Sequence, residues 1–309
     1  MSQDKNNLDY HLDASTFQKP LGELAEVLAQ KVLREGPKAL AAPGFVAVDM
    51  HLLVRQAKYT YNFLYYINAD ERRETDCYWR DVYTIIAAPL VRSMIDCLYN
   101  VTLILQNPGV NGPAFRKSGF KKTFQDLDEE ERLYGGRPEW DAYIKESRAK
   151  TDFKMRDSNL TMGEVMAEKS WPTLGVYLRD VPKGARPTAH QEFLRTLTYG
   201  AWRQYSALSH GAFEGLLLVG MYYTQDSQPH DDRPKIDALL PKIMSLHLAR
   251  AAAILLCIIT ELQAYFRFEG ADINKRINKI WDALMPVSEI KELYKERYAQ
   301  LMRDSGIAP

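Results

Sequence analysis

Apolar residues recur along this chain at intervals of three and four, and proline and glycine fall mainly between the periodic stretches. No two segments of alternating polarity are joined by a hairpin turn signal, so the chain is expected to be helical almost throughout. Val46 to Asn68 reads as a long helix rich in Leu and Tyr. Asp76 to Gln106 reads as a second, kinked or divided at Pro89. Thr188 to Tyr223 follows as a third, bent near Gly200 and Gly211. Ile236 to Phe268 is the most apolar of the four and therefore the most buried. Four long helices of this kind predict an all-α, up-and-down helical bundle over residues 46–268.

The remaining segments decorate that bundle. Residues 1–45 hold a polar lead, one amphipathic helix from Leu21 to Arg34 that should stop at Gly36-Pro37, and a loop. Residues 107–187 differ in character. They open on Asn107-Pro108-Gly109 and carry Gly135-Gly136, Pro138, Trp171-Pro172 and Gly184. Between these breaks lie charged amphipathic pieces, Lys121 to Leu133 and Trp140 to Lys154, which predict a helical insertion of short helices rather than an independent domain. Residues 269–309 form a C-terminal helical extension, with helices from Asp272 to Leu284 and from Ser288 to Arg303.

Composition narrows the function classes. Hydrophobic residues make up 46% of the 309 and charged residues 26%, the balance of a folded globular chain. Lys+Arg and Asp+Glu both number 40, so no net field points to a polyanion. Cys77, Cys97 and Cys257 match neither a zinc spacing nor a disulfide framework and read as free thiols in a reducing compartment. The polar stretch Met1 to Asp9 holds no secretory signal. The longest apolar run, Ala251 to Ile259, lies between Arg250 and Glu261 and is short for a bilayer span. A cytoplasmic location without a membrane partner is the expectation.

Metal and cofactor chemistry finds no motif to rest on. Glu-x-x-His, His-Glu-x-x-His, aspartate-rich diphosphate motifs, phosphate-binding glycine patterns and the Gly-x-Ser-x-Gly elbow are all missing, so neither metal nor cofactor is expected. His230-Asp231-Asp232 sits in a proline-flanked loop and reads as a solvated turn. What remains is the segment Tyr199 to Gly211. In a helix, Tyr199, Arg203, Ser206, His210 and Glu214 step by four, three, four and four, and so form one polar stripe. Trp202, Tyr205 and Leu208 fall on apolar faces. Arg203 and His210 would lie about 20° off alignment and about 10.5 Å apart, a gap that an arginine leaning along the helix narrows. Farther upstream, Arg92, Asp96 and Asn100 recur at four-residue steps within apolar surroundings. They either pair with each other or face a cleft.

Arg203-(six residues)-His210 on a late bundle helix resembles the Arg-x(4–6)-His signature of the HEPN superfamily of helical domains. Tyr205-Ser-Ala-Leu-Ser-His210-Gly211, together with Arg92-Ser-Met-Ile-Asp96, is similar to a prokaryotic branch of it. The resemblance covers Val46 to Gln106 and Thr188 to Phe268. It implies metal-independent endoribonuclease chemistry with Arg203 and His210 as catalytic residues, the imidazole moving the ribose 2′-OH proton and the guanidinium stabilising phosphate charge. Tyr199, Ser206, Arg92, Asp96 and Asn100 would support them. The residue after the arginine is Gln204, longer than the polar residue many such nucleases carry there. The resemblance further implies a homodimer, RNA as the partner, and the role of a toxin or defence effector held by an antitoxin or regulatory protein. Arg116, Lys117, Lys121 and Lys122 cluster in the insert but are interleaved with acids, and read as a solvated helix face ahead of a surface for RNA. The opposing reading is a non-catalytic module of the same fold that binds a nucleotide, a nucleic acid or a protein.

Overall fold

The computed structural model describes residues 17–69, 77–197, 203–209 and 233–307. Among these the chain is helical, and no strand occurs. In order the helices are α1 (Gln18–Ala39), α2 (Gly44–Asn68), α3 (Cys77–Gln106), α4 (Pro108–Tyr134), α5 (Pro138–Asp157), α6 (Met162–Ala167), α7 (Leu174–Arg179), α8 (Ala189–Leu197) and α9 (Arg203–Ser209). Then follow α10 (Arg233–Phe266), α11 (Ala271–Leu284), α12 (Ser288–Leu293), a π-helical turn (Tyr294–Tyr298) and α13 (Ala299–Asp304). The all-α expectation is met.

Several boundaries differ from those read in the sequence, for physical reasons. α1 continues through Gly36 and Pro37 to Ala39, and Leu40 N–H still donates to the Gly36 carbonyl at 2.9 Å. α3 runs unbroken through Pro89. Ala87, Ala88 and Val91 around it are fully buried, and that packing outweighs the roughly 3 kcal/mol a helical proline costs. The pieces expected within 107–187 are longer than short helices. Pro108 and Pro138 each occupy the first turn of a helix, where the missing N–H costs nothing, so they start α4 and α5 instead of ending them. The last helix is divided by its π turn.

The chain groups into two compact units. Unit 1 takes residues 1–31, 52–102 and 180–309, and unit 2 takes residues 32–51 and 103–179. In unit 1, α10 is buried on every side between Ala251 and Leu262, the pattern of a helix enclosed by protein. It packs on α11, where Trp281 Nε1 donates to the buried Thr260 hydroxyl at 3.1 Å. Among the described residues two stretches, Val82–Gln106 and Lys242–Phe266, are by length and composition long and apolar enough to cross a bilayer, and 78% of the most apolar window of the second is buried within the protein. Cys97 and Cys257 are free, buried thiols. Burial raises both, Cys97 to about 12.

Unit 2 is organised by α4 packed on α5 and α6. Phe124, Met155, Leu160 and Val165 form its core, with Phe120 packed against it. Each such side chain contributes about 1.5–3 kcal/mol on burial. Thr161 and Glu164 close α6 with a capping box.

Candidate functional site

The polar stripe expected on the late helix lies partly within the described residues. Arg203 opens α9 and is exposed, and Ser206 on the same helix is half-buried. Tyr199 and His210 lie outside the described residues. Their placement relative to Arg203 is therefore a matter of sequence alone.

What orients α9 is Tyr205, 1% exposed. Two residues beyond Arg203, it points about 200° around the helix from it, and Ser206 about 300°. A buried Tyr205 thus turns the Arg203 side outward. The tyrosine hydroxyl accepts from Arg250 Nη1 at 2.8 Å and lies 2.7 Å from His247 Nδ1. Arg250 only donates, so the hydroxyl accepts from it, while the direction of the bond to His247 Nδ1 follows the tautomer of the ring. Arg250 in turn holds the Glu289 carboxylate through Nε at 3.0 Å and Nη2 at 2.9 Å.

The electrostatics agree with that chain of bonds. Burial, with Arg250 beside it, lowers His247 to about 3, so the ring stays neutral at cellular pH. Burial raises Tyr205 while Arg250 acts against the rise. Burial also works against the Arg250 charge, yet Tyr205 and Glu289 offset it and hold the guanidinium protonated. A neutral, enclosed imidazole and a paired guanidinium cannot exchange protons with a substrate. This cluster is a clamp that sets the pose of α9.

Sequence reading placed Tyr205 on an apolar face but missed the residues that anchor it. His247 and Arg250 stand three apart on an otherwise apolar helix, and that spacing was the available signal. Arg92 and Asp96, expected near the stripe, pair with each other at 3.3 Å on α3. Asn100, one turn on, is half-buried. Among the described residues no group of three or more His, Cys, Asp or Glu side chains is arranged to hold a metal ion.

A second ionic pair lies along α10. Glu261, 6% exposed, accepts from Arg297 Nε at 2.5 Å and Nη2 at 2.9 Å. Arg297 belongs to the π turn and covers the Phe193 ring at 4.8 Å. Near it, His190 on α8 bonds Thr102 at 2.9 Å, and burial, with Arg297 second, lowers it to about 4.

Comparison with known proteins finds no match: no family model fits the chain, and no curated protein or solved structure is similar to it.

Proposed function

We propose that this chain is a HEPN-like, metal-independent endoribonuclease in which Arg203 and His210 act on one phosphodiester. The observation that carries the reading is the exposure of Arg203 on a helix whose rotation is set by the buried Tyr205 clamp. A guanidinium held outward, always charged and matched to phosphate geometry, suits a group that stabilises charge at phosphorus. His210 supplies the second function by sequence. An imidazole with an ordinary pKa near 6.5 accepts and returns protons at cellular pH. In the reaction the ribose 2′-oxygen gives its proton to His210 and attacks phosphorus. The bond to the 5′-oxygen breaks, and that oxygen takes up a proton. A 2′,3′-cyclic phosphate and a 5′-hydroxyl result, with no metal required. A toxin or defence role inside the cell, restrained by a regulatory protein, and a homodimer joining two motifs complete the proposal.

The test is incubation of the purified chain with total RNA. His210→Ala and Arg203→Ala are each expected to lower cleavage by about 100-fold or more, and EDTA is expected to leave it unchanged. Arg203 is exposed, so its replacement should change stability by no more than about 0.5 kcal/mol. If both variants cut like the parent, or the parent cuts nothing, the nuclease reading falls and the non-catalytic binding module replaces it.

A further inference from the structure

Unit 2 carries an open cleft of about 630 Å³, a volume in the range of small-molecule sites. Lys121 and Lys122 of α4 and Lys154 from the last turn of α5 line it. Among the described residues Lys122 pairs with Asp126 one turn away, at an exposed position where such pairs are weak and easily exchanged. Arg116 lies in the lining too, but it is already committed. Its guanidinium grips both oxygens of Asp49, at 2.9 and 2.6 Å, and the Ser158 hydroxyl at 2.7 Å. Burial raises Asp49 while Arg116 opposes the rise. This pair builds the cleft, and Lys122 and Lys154 remain for a ligand.

Two further features give the cleft a shape for something more than an anion. Phe115 and Trp171 meet edge to face at 5.2 Å, and Phe120 joins them in the lining. The Trp171 segment is tied down, since its backbone N–H donates to Ser118 Oγ at 2.6 Å and Lys121 Nζ bonds the Glu168 carbonyl at 2.7 Å. Gly119 sits in the interior of α4, where glycine weakens a helix relative to alanine. A Cβ there would meet nothing within 4 Å, so packing in the fold does not require the glycine. The bare backbone opens into the cleft.

From this arrangement we infer that the cleft binds a nucleoside phosphate. The lysine ammonium groups take the phosphates as mobile point charges. The aromatic lining takes the flat base by stacking. Gly119 lets the ligand lie against the helix. Asp157, also in the lining, acts against the anion. The inference does not rest on the nuclease reading, because unit 2 does not contain Arg203.

Isothermal titration of the full chain with ATP, with a short single-stranded RNA and with inorganic tripolyphosphate tests it. ATP or the RNA is expected to bind, and tripolyphosphate about tenfold more weakly or not at all, since it lacks a ring to stack. Binding of ATP identifies a free nucleotide as the source, and binding of RNA alone identifies a strand; either supports the site when Gly119→Met removes it, and RNA binding that survives Gly119→Met lies elsewhere on the chain and refutes the cleft. Gly119→Met should abolish binding at an unchanged or higher melting temperature, because it fills open space and favours the helix. Lys122→Ala/Lys154→Ala, both at the surface, should weaken binding about tenfold, and Asp157→Asn should tighten it. The site is refuted if neither ATP nor RNA binds, if tripolyphosphate matches ATP, or if Gly119→Met and the double lysine variant bind like the parent.

Discussion

The hydroxyl of Tyr205 is a single polar group that serves two partners, the buried His247 and the half-buried Arg250. Replacing it by phenylalanine preserves the ring but leaves His247 Nδ1 without its partner and Arg250 Nη1 without its acceptor. Buried polar groups stripped of partners cost about 1–3 kcal/mol, so Tyr205→Phe should lower the free energy of unfolding in urea by that amount. Arg250→Lys should do no better. An ammonium cannot hold Glu289 through two nitrogens and Tyr205 through a third. Unfolding free energies equal to the parent's would show that the clamp is idle. At this scale the sequence was half legible. Apolar spacing assigned Tyr205 to the interior, but its anchors lie 42 and 45 residues away, on a helix whose rotation no local pattern specifies.

Among the elements, α4 approaches α2 in unit 2 at Gly112. A Cβ at that position would come within 2.5 Å of Val46 Cγ1 on α2. Gly112→Ala gains helix propensity yet overpacks the crossing, and overpacking costs about 1–3 kcal/mol. The single variant should therefore be destabilised, and Val46→Ala should absorb most of that loss when the two are combined. A purely additive double-mutant cycle would place the strain elsewhere. Element existence was readable from periodicity, while element ends were not. Pro108 and Pro138 look like breaks in the sequence, but proline is equally suited to the first turn of a helix. Pro37 and Pro89 were overridden by helices that continue through them.

For the whole molecule, pH is the informative variable. The unfolded chain protonates its histidines near 6.5, whereas folding holds His190 down to about 4 and His247 to about 3 through burial. Between those values the unfolded state binds more protons than the folded one. Stability is therefore expected to be full above pH 6.5 and to fall as pH drops through 6.5 toward 4. Carboxylates such as Glu26, which Lys58 holds below the usual range, add their loss only at lower pH. Denaturant titrations at pH 7.5 and 5 distinguish the two contributions, and a flat profile across that interval would contradict the enclosure of both rings.

The helical class and its most buried member were determined by the sequence alone, because helix formation is local. Each N–H bonds a carbonyl four residues back, and apolar spacing of three and four selects a buried face without reference to the rest of the chain. The candidate Arg203 was legible for the same reason, as a polar residue on a stripe. Tertiary structure alone decided which faces meet. It brought His247 and Arg250 onto Tyr205, and gathered Lys121, Lys122 and Lys154 around one cleft with Trp171. Those pairings join positions far apart in the chain, and their cost in chain entropy is offset only once the intervening helices have packed.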